Sequence, residues 1–241
     1  MTLSLPPSSA PRGSLEVTLS GVTVGYSLEE ALLKNLTLTI AAGDFISICG
    51  ENGAGKSTLV KSLLGLLPPL AGTRTVSPEL VAAGFGYVAQ TSSLPPDMPG
   101  TVLEVLKTGL PWRLFSRHRA EHGLLSEVLA HFDCARLADQ PFRQLSGGQM
   151  KRVLIARAVL ASRRFIVLDE PCAGLDTQNT DRIMRALADL NHTMGTTILQ
   201  VTHDLPSARR VSSRLWHVGE GTVRDEKLAE STTESVIKEA L

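Results

Sequence analysis

The chain has 241 residues, and its 24 Lys plus Arg balance 24 Asp plus Glu, so a zero formal net charge gives no bulk electrostatic pull toward nucleic acid. The length allows one large α/β domain or a core with a subdomain, and no uninterrupted apolar run approaches a bilayer crossing. Cys49, Cys134 and Cys172 are far apart, odd in number and outside any metal spacing, which points to a reducing cytosol rather than a disulfide framework.

Residues 1–13 carry Pro6, Pro7 and Pro11 among serines and lack a cationic start followed by an apolar block. They are expected to form a flexible tail, not a signal peptide. Leu15-Glu16-Val17-Thr18-Leu19 and Leu36-Thr37-Leu38-Thr39-Ile40 alternate, as half-buried strands of an antiparallel region do, and Tyr26 follows Val22-Thr23-Val24-Gly25 between them. Ala41-Ala42-Gly43-Asp44 turns into Phe45-Ile46-Ser47-Ile48-Cys49, a buried strand. Gly50-Glu51-Asn52-Gly53-Ala54-Gly55-Lys56-Ser57 then fits G-x-x-x-x-G-K-[ST]. After it, Leu59, Val60, Leu63, Leu64 and Leu67 recur at helical spacing until Pro68-Pro69.

After Pro69 the sequence reads as a polar loop until Phe85-Gly86-Tyr87-Val88-Ala89-Gln90, a strand ending in a polar residue. Ser92 to Gly100, with three prolines and no periodicity, is expected to be an exposed loop. Thr101 with Glu104 three places on marks a helix start, and a second helix carries Leu124, Leu125, Val128, Leu129 and Phe132. His118 and His122, four apart, read as a solvated helix face rather than a metal site. The block from about 95 to 145 is thus expected to be a helical subdomain inserted in an α/β core.

Ser146-Gly147-Gly148-Gln149 opens a long helix with capping-box spacing, a second candidate anion site. Phe165-Ile166-Val167-Leu168 is a buried strand ending in Asp169-Glu170-Pro171, and a helix through Ile183, Met184, Leu187 and Leu190 follows it. Thr197-Ile198-Leu199-Gln200-Val201 is the next strand, ending at Thr202-His203-Asp204. Leu215-Trp216-His217-Val218 and Gly219-Glu220-Gly221 suggest a final hairpin, and the segment from Glu226 on is charged and expected to be helical. Strands alternating with helices predict a mostly parallel sheet, with function at the strands' C-terminal ends.

Those ends meet what phosphoryl transfer to water requires. Residues 50–58, from Gly50 through Ala54 and Gly55 to Thr58, would cradle phosphates with inward N–H groups and a helix N-terminus. Lys56 would reach the β- and γ-phosphates, while Ser57 and Asp169 would hold Mg²⁺. Glu170 is placed to position or deprotonate the attacking water, and His203 to face the developing γ-phosphate charge. Gln90 could touch the Mg²⁺ or the water.

Gly50 to Thr58, Gln90, Leu145 to Gln149, Phe165 to Pro171, Ala173-Gly174-Leu175-Asp176 and His203 together resemble the motif set of ABC-type ATPases, in that family's order. In family terms they are the Walker A loop, Q-loop, signature, Walker B strand with its catalytic Glu, D-loop and H-switch. The resemblance implies a P-loop NTPase core with an N-terminal antiparallel β region and an inserted helical subdomain. The cassette would span residues 14–225, with a charged tail at 226–241. It also implies ATP and Mg²⁺ as cofactors, adenine stacking on Tyr26, and two copies paired head to tail. Each ATP would then lie between one Walker A and the other copy's Ser146, Gly147, Gly148 and Gln149, with Asp176 nearby.

A separate membrane permease would be the driven partner, on the inner face of the plasma membrane, with an external substrate-binding protein in the same system. The stretches 85–90, 93–94, 98–106 and 149–158 are similar to those of zinc- and manganese-type importer ATPases. The rival readings are a lipid or lipoprotein exporter and a cassette acting on nucleic acid or the ribosome. Only about 90 residues lie between Walker A and the signature, with no sustained heptads, which disfavours the nucleic-acid reading.

Overall fold

The computed structural model describes residues 11–90, 99–111 and 118–228. Most of the expected tails, most of the 92–100 loop and the side chains of His118 and His122 lie outside the described residues.

The chain begins with two long strands, β1 (Leu15–Gly25) and β2 (Ala31–Ala41), paired antiparallel. The first absorbs two short apolar runs into one strand, with a register shift between Leu19 and Val22 where Gly21 takes a positive φ of 60°. Next come β3 (Phe45–Gly50) and α1 (Lys56–Leu64). Gly65, left-handed at φ 76°, caps α1 through its N–H, so Leu67 lies beyond the helix that the apolar spacing predicts.

The stretch after Pro69 is not the loop expected. It forms β4 (Ala71–Val76), paired antiparallel with β1, and α2 (Pro78–Ala83), whose N-cap is Ser77. The strand is an edge of its sheet and mostly exposed, so it carries almost no apolar pattern.

After β5 (Gly86–Val88) the described chain is helical as far as the next strand. It contains α3 (Val102–Lys107), α4 (His118–His131), single turns at Ala135–Leu137 and Phe142–Gln144, and α5 (Gly147–Ala161). Both expected capping boxes are present. Thr101 and Glu104 open α3, and Ser146 and Gln149 open α5. Backbone bonds from Val102 N–H to Gln140 O and from Phe142 N–H to Gly100 O tie the start of α3 to the segment entering the Phe142–Gln144 turn.

The rest is β6 (Phe165–Asp169), α6 (Thr177–Met194), β7 (Thr197–Val201), α7 (Leu205–Val211), β8 (Arg214–Gly219) and β9 (Thr222–Lys227). The expected hairpin is β8–β9. Glu226 and Lys227, expected to start a helix, instead finish β9, because their register against Leu215 and Arg214 completes the hairpin ladder.

The larger sheet has the order β5-β6-β7-β3-β8-β9, parallel throughout except for β8–β9. Its central strands β3, β6 and β7 are buried on both faces, and the two-residue period sorts their side chains. Ile166, Leu168 and Ile198 join α4, α5 and α6, while Phe165, Val167, Leu199 and Ile48 pack toward α1 and the β1–β2 sheet. Each such burial stabilises by roughly 1.5–3 kcal/mol before entropy is counted. The consequence for the site is alignment, because β5, β6, β7 and β3 all end at the same rim.

Candidate active site

The loop after β3 is shaped by glycine where its backbone demands it. Gly53 and Gly55 are left-handed, at φ 81° and 97°. Gly50, at φ 154°, pairs with Val218 of β8, and a Cβ there would fall 2.2 Å from the Val218 carbonyl oxygen. Gly55 rests against Leu32 and Leu33 of β2. α1 begins directly behind, with Leu59 N–H donating to Gly55 O at 2.8 Å. Lys56 is only 7% exposed, and its Nζ donates to the carbonyls of Gly50 (2.9 Å) and Glu51 (2.7 Å). Glu51, Asn52 and Gly53 are exposed, while Thr58 is buried under the loop. Left-handed glycines, a helix start and a cation across one loop suit a polyphosphate.

Beside it stands the end of β6. Asp169 is 5% exposed, and the Ser57 side chain lies close enough to favour its charged form. Burial pushes the Asp169 carboxyl above the usual carboxylate range, and the Glu170 charge adds to that; Ser57, Lys56 and Lys61 pull it back. A buried carboxylate beside a hydroxyl is a hard oxygen pair that fits Mg²⁺.

Glu170 sits at φ 51°, a conformation that costs a non-glycine residue roughly 1–2 kcal/mol. Its N–H donates to Val201 O of β7 at 3.0 Å, and Lys151 Nζ lies 3.4 Å from its carbonyl oxygen. The kink brings Glu170 Oε1 to 2.9 Å from His203 Nε2, on the loop between β7 and α7. Sheet order explains the meeting, since β7 lies between β6 and β3.

The structure thus gathers the phosphate loop, Asp169, Glu170 and His203 on one rim. Gln90 is exposed two residues beyond β5, whose Val88 pairs with Leu168 of β6. Tyr26 is 67% exposed, one residue past the Gly25–Ala31 pair that ends the β1–β2 ladder. The same hairpin supplies Leu32 and Leu33 to Gly55. Ser146 and Gly147 are exposed at the start of α5, and no described hydrogen bond joins Ser146, Gly147, Gly148 or Gln149 to residues 50–58. Asp176, also exposed, caps α6 by accepting from Asn179 N–H.

Sequence reasoning missed Leu32, Leu33, Lys151 and Asn179. The first two carry only a generic strand pattern, and the last two look like ordinary polar helix residues.

Known proteins of this architecture and sequence exist. The family model described as ABC transporter matches residues 33–173. A probable metal transport system ATP-binding protein of Chlamydia muridarum is 36% identical over 209 residues, covering 84% of this chain and 86% of its own length. The zinc import ATP-binding protein ZnuC of Chromohalobacter salexigens is 37% identical over 187 residues, covering 76% and 72%. Among solved structures, the dimeric bacterial ABC transporter cassette MJ0796 superposes with a TM-score of 0.72 at 31% identity, covering 88% of this chain and 99% of that one. An ABC transporter solved in an inward-facing conformation gives 0.76 at 25% identity, covering 93% and 90%. With the phosphate loop, the signature turn and the carboxylate pair set on one fold, the chain belongs to the ABC transporter family as one of its ATP-binding, ATP-hydrolysing cassettes.

Proposed function

We propose that this cassette drives metal-ion import, of the zinc or manganese type, through a separate membrane permease. The observation carrying the proposal is that relatives named for metal transport and zinc import align over most of the chain at 31–37% identity. Among the described residues no helix is long and apolar enough to cross a membrane, so the ion's path is assigned to the partner. In this reading the cassette sits on the inner face of the plasma membrane, and an external substrate-binding protein delivers the ion.

In the proposed mechanism two copies pair head to tail with C₂ symmetry. The exposed start of α5, a 15-residue helix whose turn is not bonded to its own phosphate loop, supports this pairing. Ser146, Gly147, Gly148 and Gln149 of one copy would close over the nucleotide held by the other. Lys56 would leave the Gly50 and Glu51 carbonyls for the β- and γ-phosphates, and Tyr26 would stack on adenine. Ser57 and Asp169 would hold Mg²⁺, which supplies neutralisation of phosphate charge when bound, and Gln90 would complete that side. Glu170 would accept the water's proton, with His203 holding its carboxylate in place.

Lys56→Ala should weaken ATP binding by about 1.5–3 kcal/mol, the range for hydrogen bonds to charged groups. Equilibrium nucleotide titration measures this, and wild-type affinity would contradict the cradle role. Tyr26→Ala should weaken it by about 1 kcal/mol through lost stacking; equal affinity would return Tyr26 to a purely surface role. For the cargo, loss of the gene should lower cellular zinc or manganese, measured by mass spectrometry. The wild-type gene should restore it and Glu170→Gln should not, whereas unchanged metal content would overturn the import reading.

A further inference from the structure

The two glycines that open α5 face different surroundings. A Cβ added to Gly147 would meet nothing within 4 Å. One added to Gly148 would stand 2.8 Å from Cγ and 2.9 Å from Oδ1 of Asn179 on α6. Neither glycine has a positive φ, so backbone conformation requires glycine at neither position. Space is therefore the reason at Gly148, and Asn179 is what fills that space.

Asn179 is tied to the N-cap of its own helix. Its Nδ2 donates to Asp176 Oδ2 at 2.7 Å, and its backbone N–H donates to Asp176 Oδ1 at 2.8 Å. These bonds, the backbone one foremost, hold the Asp176 carboxyl below its ordinary range. The first turn of α6 thus presents a fixed amide to the first turn of α5.

We infer that Asn179 is a positioning residue for the Ser146–Gln149 turn. Its amide, fixed by Asp176, sets where the start of α5 stands, and Gly148 lacks a side chain in order to admit it. Gly147, by contrast, leaves open the side from which a ligand can approach. The inference rests on the proposed reading in which this turn meets the second copy's nucleotide.

A double-mutant cycle on steady-state ATP hydrolysis tests it. Asn179→Ala should lower kcat about tenfold with KM nearly unchanged, and Gly148→Ala should lower kcat about a hundredfold. Combining the two should give roughly the kcat of Asn179→Ala alone, because the added methyl group takes the space the amide leaves. Asn179→Ser, which also removes the clashing amide, should relieve Gly148→Ala in the same way. Gly147→Ala combined with Asn179→Ala should instead give the product of the two separate losses. ATP affinity and thermal midpoint of each variant check that its phosphate loop and fold are intact.

A wild-type kcat for Asn179→Ala, or a multiplicative loss in the 148–179 pair with both asparagine variants, would overturn the assignment. The head-to-tail reading is judged separately, by whether Glu170→Gln with ATP and Mg²⁺ forms a dimer. A monomer there would sink that reading, whereas a multiplicative cycle in a protein that dimerises would sink only the role of Asn179.

Discussion

Replacing Glu170 by glutamine is expected to lower kcat for ATP hydrolysis by about a hundredfold to ten-thousandfold while leaving nucleotide affinity intact. The amide is almost the same size and still accepts a hydrogen bond, so it can keep the contact with His203 Nε2 that the carboxylate makes at 2.9 Å. It cannot take up a proton from water. Glutamine at φ 51° carries the same backbone strain as glutamate, so stability should not change. Because binding survives and turnover does not, the ATP-bridged pair should accumulate. Size-exclusion chromatography with light scattering, with and without ATP and Mg²⁺, reads this directly. Phosphate release at the wild-type rate would remove Glu170 from its role.

The second large effect lies away from the rim. Glu16 of β1 is 1% exposed, and its Oε1 accepts from Arg164 Nε at 2.7 Å while Oε2 accepts from the Thr197 hydroxyl. The group stitches the N-terminal sheet to the residue that enters β6 and to the first residue of β7. Arg164→Ala leaves the Glu16 charge buried without its cation, which should cost about 3–5 kcal/mol of unfolding free energy. Chemical denaturation measures this.

The deficit should also depend on pH. Burial already raises the Glu16 carboxyl above its ordinary value; Thr197 and Arg164 lower it, and Asp44, itself paired with Arg214, raises it. Without Arg164 the folded-state value climbs further. A carboxyl raised in the folded state contributes stability below its unfolded value and loses it as pH rises through the folded one. The variant should therefore recover part of its deficit on acidification from neutral toward pH 5. A deficit below about 1 kcal/mol, the range of an exposed pair, would show that the pair is solvated.

The contrast between these two sites shows what was legible in the sequence. The rim was readable because its chemistry lies in short local runs. A glycine loop between an apolar strand and a helix, and an Asp-Glu pair after four apolar residues, carry their context with them. The capping boxes at Thr101 and Ser146 were likewise local and are present. By contrast, the Glu16–Arg164 pair spans 148 positions, and only the folded topology brings it together. β4 escaped because an exposed edge strand carries little apolar alternation, although Ser77-Pro78-Glu79 was an available signal for the helix after it. The charge around Glu226 reads as a tail, whereas an outer strand of a sheet tolerates it. The left-handed turn at Glu170 had no local sign either, since nothing in Asp-Glu-Pro demands it.

That charged outer strand has one more consequence. The six-stranded sheet ends on one side at β5, three residues long, and on the other at β9, which displays Arg224, Asp225, Glu226 and Lys227. A ribbon margin this brief, or this densely ionic, is a poor template for strand addition from a neighbouring molecule. Uncontrolled stacking into fibrils through the margins of this sheet is thereby discouraged.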